Sequence, residues 1–362
     1  MKHGCTFSGL REVSGIIGCS SSSPNTSTLS ISACQNTGNI TANEDYAGGI
    51  AGRQMAGKVN IANCENKSDV TGVSYVGGMV GLGNSVMNSQ SAAKVIALGD
   101  YAGGIAGNLT GPIDNSTFSG TVSGVNYVGS IAGLAGTVSK CAGSVDITST
   151  GSYIGGIVGR ATSVTNCYNT KKIIGSNYTG GVAGYVSGLT DNCFNTGIIT
   201  GAQYTGGVIG SSGNLQNCYN RGKVTGTDRV GGIVGNTSAS TFVKSSYNTG
   251  TISGTTAYVG SLIGYKTATA AAGTPTFWLV GTAAQAVGFG TQIPAPVMDT
   301  SAVLKTRAID LGAAWSDASG NENDGYPVLN AFAYANGLLF KPIIHGVSRR
   351  VLCRIKETQL LH

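Results

Sequence analysis

The sequence predicts an all-β fold: a parallel β-solenoid (β-helix) of about ten coils with a C-terminal cap, and three observations carry the prediction. First, a seven-residue phrase, clearest at Tyr204-Thr205-Gly206-Gly207-Val208-Ile209-Gly210, returns along the chain at a nearly fixed period. Its copies begin at Tyr46, Tyr75, Tyr101, Tyr127, Tyr153, Tyr178, Tyr204 and Tyr258, with Arg229 in the aromatic place once, and the steps are 29, 26, 26, 26, 25, 26, 25 and 29 residues. Such a period marks an array whose units bury their apolar faces only against their neighbours. Second, each unit offers three short extended segments separated by Gly, Asn and Ser, the punctuation of strands and turns. Third, two adjacent glycines in most units argue against helix, because together they cost a helix about 2 kcal/mol relative to Ala.

The elements follow in order. Val13-Ser14-Gly15-Ile16-Ile17-Gly18 is a worn copy of the phrase, and Ser20 to Thr28 is a Ser/Thr-rich insertion of the kind solenoid loops absorb. The chain opens in mid-repeat, since Cys5-Thr6-Phe7-Ser8-Gly9 matches Ser116-Thr117-Phe118-Ser119-Gly120, which suggests a piece of a longer exported polypeptide. Midway between tyrosines lies a second phrase, as in Asn166-Cys167-Tyr168-Asn169, Asn192-Cys193-Phe194-Asn195 and Asn217-Cys218-Tyr219-Asn220. A β-branched run ending in Gly follows, for example Gly197-Ile198-Ile199-Thr200-Gly201. Three strands per coil place equivalent residues one above another at about 4.8 Å.

Strict alternation along the first phrase puts Tyr204, Gly206 and Val208 inward and Thr205, Gly207 and Ile209 outward. The tyrosines are thereby expected as repeat core. The third inward member is large throughout: Ile50, Met79, Ile105, Ile131, Ile157, Val182, Val208, Ile233 and Leu262. The outward slot reads Ala47, Val76, Ala102, Val128, Ile154, Thr179, Thr205, Val230 and Val259, and two threonines in nine do not make the Thr ladder of an ice or crystal binder. Positions 179, 205 and 230 become the candidate exposed face.

Cys5, Cys34, Cys64, Cys141, Cys167, Cys193 and Cys218 share one slot, which Ser takes at 89, 116 and 246. Parallel neighbours about 4.8 Å apart do not suit a disulfide, which wants Cβ atoms near 3.8 Å, so a ladder of buried free thiols is expected. The asparagines beside it, such as Asn166, Asn192 and Asn217, suggest amide stacking or satisfaction of turn backbone.

Phrases such as Tyr178-Thr179-Gly180-Gly181-Val182-Ala183-Gly184 followed by Asn192-Cys193-Phe194-Asn195-Thr196-Gly197 resemble the GLUG-type repeats of bacterial surface proteins, repeats also found beside the catalytic region of some immunoglobulin A1 metallopeptidases. The resemblance covers roughly residues 5 to 335. It implies an extracellular or cell-surface β-solenoid, adhesive or a spacer, with a surface glycan or protein as partner.

The organisation read from the chain is 1–265 repeats, 266–336 the last coil and capping segment, and 337–362 a basic tail of unassigned structure. Within the second stretch, 268 to 273 is a small-residue linker, Phe277-Trp278-Leu279 the last strand phrase, and Ser301 to Leu311 a short helix. Trp315 and Tyr326 are expected to cover the last coil's apolar edge, as a solenoid end requires.

Charge excludes more than it suggests. The tail holds Lys341, Arg349, Arg350, Arg354 and Lys356 against Glu357, so the first 336 residues keep only +2 of the net +6, which is no footprint for nucleic acid. No run of 18 apolar residues marks a membrane span. Gly52 to Val59 nearly spells a phosphate loop, but Val59 stands where Ser or Thr is needed. The Gly-Gly pairs precede no helix and are no dinucleotide fingerprint. His3, His345 and His362 lie at the ends without a His-Glu-x-x-His motif. Asp100, Asp146, Asp191 and Asp228 recur in no common slot, unlike the grouped carboxylates of a β-helix glycosidase or lyase. Asn321-Glu322-Asn323-Asp324 reads as a turn ahead of a calcium loop. A non-enzymatic segment, with no cofactor and no metal, is the expectation, and a carbohydrate-active enzyme is the alternative.

Overall fold

The structure, a computed structural model, describes residues 7–20, 28–54, 58–238, 241–267, 276–290, 296–318, 322–332 and 354–358. Cys5, residues 55–57 of the near phosphate loop, the linker 268–273, Asn321 and the three histidines lie outside the described residues. The fold is all-β, with mostly parallel strands stacked as a solenoid of about ten turns about 26 residues apart. The chain divides into two compact units, Met1–Gly151 with Gly156–Ala161 and Pro342–His362, and Ser152–Gly155 with Thr162–Lys341.

In the first unit, Val13–Ser14, Ala47–Gly48, Val76–Gly77, Ala102–Gly103 and Val128–Gly129 stack in parallel, Gly48, Gly77, Gly103 and Gly129 in one register. Phe7–Gly9, Ile40–Ala42, Val70–Gly72, Lys94–Ala97 and Thr121–Ser123 form a second stack. Part of the basic tail is not extra to the fold: Arg354–Thr358 pairs antiparallel with Thr28–Ser32, whose other side runs parallel to Lys58–Ala62. The tail strand thus occupies an edge that would otherwise offer open backbone groups.

In the second unit the long strands Ala183–Asn195 and Ile209–Asn220 lie like over like, Cys193 opposite Cys218, Phe194 opposite Tyr219 and Asn195 opposite Asn220. Thr276–Leu279 is not the last strand phrase, because Val287–Gly290 pairs with Ile263–Lys266 and Pro296–Asp299 with Thr276–Leu279. That further coil had lost the Tyr and Asn phrases by which coils are read. The expected helix is two single turns, Ser301–Leu304 and Ala308–Leu311.

The closing segment lies against a side of the second unit, where an edge-covering cap was expected. Tyr168, Phe194, Tyr219 and Tyr247 stack ring on ring at 4.8, 4.7 and 5.0 Å. Phe332 meets Tyr168 and Phe194 edge-on at 5.6 and 5.0 Å, and Trp315 meets Tyr219 and Tyr247 at 5.9 and 5.4 Å. The Asn323 turn locks this docking: Asn323 Nδ2 donates to the Tyr247 hydroxyl at 2.8 Å, the Arg221 guanidinium donates to Asn323 Oδ1 at 2.8 Å, and Arg221 also pairs with Asp324. The loop weighed as a calcium site is therefore a docking turn.

Alternation fails in the first phrase, and the backbone shows why. Each tyrosine from Tyr46 to Tyr204, and Arg229 in its place, has a positive φ, between 53° and 72°. The left-handed residue turns the chain through a corner, and a second bend at Gly207 and Val208 separates the strand ending at Gly206 from the one starting at Ile209, so parity is lost between them and Thr205 and Val208 both face inward. Thr179, Thr205 and Val230, expected outward, have no exposure, and neither do Ala47, Val76, Ala102, Val128 and Ile154. The large set, from Ile50 to Leu262, is inward as expected, with no exposure at any of its nine positions. The tyrosines are half-buried and stack on one another, so they are not interior core. The left-handed conformation costs an L-residue about 1–2 kcal/mol, and stacking against neighbouring rings returns about 0.5–1.5 kcal/mol per pair.

The paired glycines serve a second ladder. Asn169, Asn195, Asn220 and Asn248 are fully buried, and each Nδ2 donates to the next Oδ1 at 2.8, 2.8 and 2.9 Å. Asn36 donates to Asn66 in the same way, at 2.8 Å, in the first unit. A Cβ on Gly181, Gly207 or Gly232 would lie 2.4–2.5 Å from the Asn195, Asn220 or Asn248 side chain. Glycine there makes room for an amide. The amide ladder is thus built from the asparagine that ends the second phrase; Asn166, Asn192 and Asn217, which open it, take the other left-handed corner at φ 53°, 50° and 49°.

Candidate functional site

Two outward columns in the second unit face each other across the left-handed corner. The first is Tyr153, Tyr178 and Tyr204, stacked at 4.6 and 4.5 Å. Arg229 continues it, its guanidinium 4.8 Å from the Tyr204 ring centroid and 4.6 Å from that of Tyr265, with Nη1 donated to the Tyr204 hydroxyl. The second column, three residues past the large inward residue, reads Tyr185, Ser211, Asn236 and Tyr265 in consecutive register. Two bulky rings bracket two small polar side chains. The result is a groove of about 520 Å³, lined by Tyr178, Tyr204 and Arg229 on one side, Tyr185 and Tyr265 at the ends, and Ser211 and Ser212 on the floor.

Burial, then the neighbouring Tyr153 and Tyr204 phenols, push the Tyr178 phenol above its ordinary range, so that phenol is neutral at physiological pH. Arg229 has a carboxylate behind it, Asp228 Oδ2, 3.7 Å from Nε, and Asp228 Oδ1 accepts from Thr256 Oγ1 at 2.9 Å. That N···O separation is beyond hydrogen-bond range, and Nε is buried without a hydrogen-bond partner. Ser212 is only 5% exposed, and its Oγ also has none. The one hint of this groove in the sequence is the arginine that breaks the tyrosine series; the notch column lies one residue past the seven-residue phrase, where the sequence marks no repeated residue.

The sequence-predicted residues lie elsewhere. Cys64, Cys193 and Cys218 are free and buried, Cys141 and Cys167 are buried in the same slot, and Cys19 is free and partly exposed. Each stacked thiol donates to the carbonyl two residues back, Cys193 to Asp191 at 3.2 Å and Cys218 to Gln216 at 3.0 Å. Ser89, Ser116 and Ser246 make the same bond at 2.8, 3.0 and 2.7 Å, which explains why Ser and Cys interchange there. Cys34 departs from the free ladder, because it is disulfide-bonded.

Burial pushes the Cys64 thiol up to about 11 from 9.0, and pushes the Cys218 thiol well above 9.0 too. An acid whose folded pKa is raised contributes stability that is complete below its unfolded pKa, so the Cys64 contribution is lost as pH climbs from about 9 toward 11. Iodoacetamide at pH 8 is expected to modify Cys19 first and to spare Cys193 and Cys218 until the protein is denatured, as peptide mass spectrometry can show. Cys193 or Cys218 reacting in the folded protein as fast as Cys19 contradicts the buried ladder.

The carboxylates are engaged separately: Asp100 with Asn126 at 2.9 Å, Asp191 with Asn217 at 2.8 Å, and Asp228 beside Arg229. The near phosphate loop begins as strand Ala51–Gln54, in which Arg53 pairs with Glu12 at 2.9 Å and lies 4.4 Å over the Tyr46 ring.

Coils in register, glycine pairs beneath an amide ladder and an outward tyrosine column define the class: a parallel β-solenoid of short repeats. Within it, residues 150–174 match the family described as the GLUG motif, a stretch of one coil running from Thr150 through the Tyr153 corner to Ile174. No curated protein and no solved structure matches the chain. Among the described residues no helix is long and apolar enough to cross a membrane.

Proposed function

We propose that this chain is a non-enzymatic repeat segment of a secreted or cell-surface bacterial protein and that it works as an adhesive surface. The observation that carries the reading is register: equivalent positions lie over one another on successive rungs, so the outward tyrosines recur at a fixed spacing, 4.9, 4.6 and 4.6 Å from Tyr46 to Tyr127 and 4.6 and 4.5 Å from Tyr153 to Tyr204. A surface of that kind favours many weak contacts made together, and linked contacts gain avidity without any one being strong. The GLUG match supports placement at a surface, since such repeats occur in bacterial surface proteins. The Cys34 disulfide fits an oxidising compartment.

Beads coated with the chain are expected to stay on glycan-bearing surfaces under flow and to leave those glycans chemically intact. Release of cleaved saccharide overturns the non-enzymatic part and favours a carbohydrate-active enzyme. No retention on any glycan or protein surface overturns the adhesive part and leaves a spacer.

A further inference from the structure

We infer that the groove between the Tyr178–Tyr204–Arg229 column and the notch flanked by Tyr185 and Tyr265 binds a short anionic saccharide, with the anion on Arg229 and sugar hydroxyls on the serine and asparagine side; this rests on the adhesive reading and names its ligand class. Four observations lead there. The groove's 520 Å³ falls within the range of small-ligand sites, about 300–1,000 Å³. Three register steps separate Tyr185 from Tyr265, about 14 Å of open edge, long enough for more than one sugar ring.

Charge comes next. Among the described lining residues Arg229 is the one formal charge, and Asp228 sits behind it. The guanidinium lies between the Tyr204 and Tyr265 rings, and its terminal N–H donors match a carboxylate or sulfate better than a neutral group. Last, the Ser212 hydroxyl lines the groove buried and unpartnered, a state that costs free energy until a polar ligand supplies a partner. An apolar ligand is disfavoured by the same geometry. The faces of Tyr178 are covered by Tyr153 and Tyr204, so edges and hydroxyls, not ring faces, meet what enters.

The test is calorimetric titration of the whole chain with three tetrasaccharides on a common backbone, one bearing uronic acids, one sulfated and one neutral. At least one anionic form is expected to bind about tenfold tighter than the neutral one, the increment of a charge-assisted hydrogen bond, and the two anionic arms tell carboxylate from sulfate. Arg229→Gln is expected to remove that preference. Asn236→Tyr places in one rung the residue its register partner Tyr265 already carries, so the coil is kept while the notch is filled, and binding of all three is expected to vanish.

Equal affinity for the neutral form, an Arg229→Gln protein with unchanged preference, or no binding by a chain with native circular dichroism each overturns the inference. The adhesive reading is judged apart from it. Beads coated with the Asn236→Tyr protein that adhere like wild type refute the groove and keep the adhesive reading; wild-type beads that fail to adhere while the saccharide binds refute the adhesive reading and keep the groove.

Discussion

Gly207→Ala is expected to destabilise the second unit by about 3 kcal/mol or more, the upper range for forcing atoms into a packed interior. The new Cβ would lie 2.0 Å from the Gly232 carbonyl oxygen and 2.4 Å from Asn220 Cγ. Neither can retreat cheaply: one is backbone in the next rung, and the other is fixed by bonds to rungs on both sides. Gly83→Ala in the first unit is the matched comparison, since its Cβ would press only on the Val80 and Leu109 methyl groups, at 3.0 and 3.3 Å, with the Val59 carbonyl oxygen at an ordinary contact distance of 3.7 Å. Urea unfolding followed by circular dichroism measures both. A Gly207→Ala midpoint no lower than that of Gly83→Ala contradicts the proposed packing.

Asn220→Ala is expected to cost about 4 kcal/mol, because four hydrogen bonds go and the groups left behind are buried. Asn220 Nδ2 donates to Gly222 O at 2.8 Å and to Asn248 Oδ1 at 2.9 Å, while its Oδ1 accepts from Asn195 Nδ2 at 2.8 Å and from the Gly222 amide at 3.2 Å. The first unit offers a natural counterpart. Where the glycine becomes Ser130, whose Oγ donates to Gly156 O, the ladder position of that coil is Gly143. Gly207→Ser combined with Asn220→Gly should therefore lose less stability than the two single changes summed, a coupling that a double-mutant cycle reads directly. Strict additivity would mean that the two positions do not share space.

The architecture was legible in the sequence because the repeat period and the parallel register are one fact: a phrase that returns every 26 or so residues must lie over itself. The Ile50 to Leu262 set could be placed inward because its size is held in every coil. What failed was parity along the phrase, which is lost at the bend of Gly207 and Val208, and with it the inward placing of the tyrosine at its left-handed corner. A left-handed corner is announced by Gly or Asn, as at Asn192 and Asn217, and a tyrosine held there by its stacked neighbours carries no such mark. The groove was hidden with it, since Ser211 and Asn236 look like ordinary turn residues until their column is known. The docking of Trp315 and Phe332, and the pairing of Arg354–Thr358 with Thr28–Ser32, join residues far apart in sequence and outside the repeat, where periodicity has nothing to say.

Solenoids are commonly treated as chains of nearest-neighbour couplings, free to fray one rung at a time from an end. The aromatic brace in the second unit breaks that independence. Phe332 grips the Tyr168 and Phe194 rungs while Trp315 grips those of Tyr219 and Tyr247, so one strap of chain fastens four successive rungs. Unravelling from the C-terminal side must shed the strap first, and until then the four rungs respond to a pulling force as a single mechanical block.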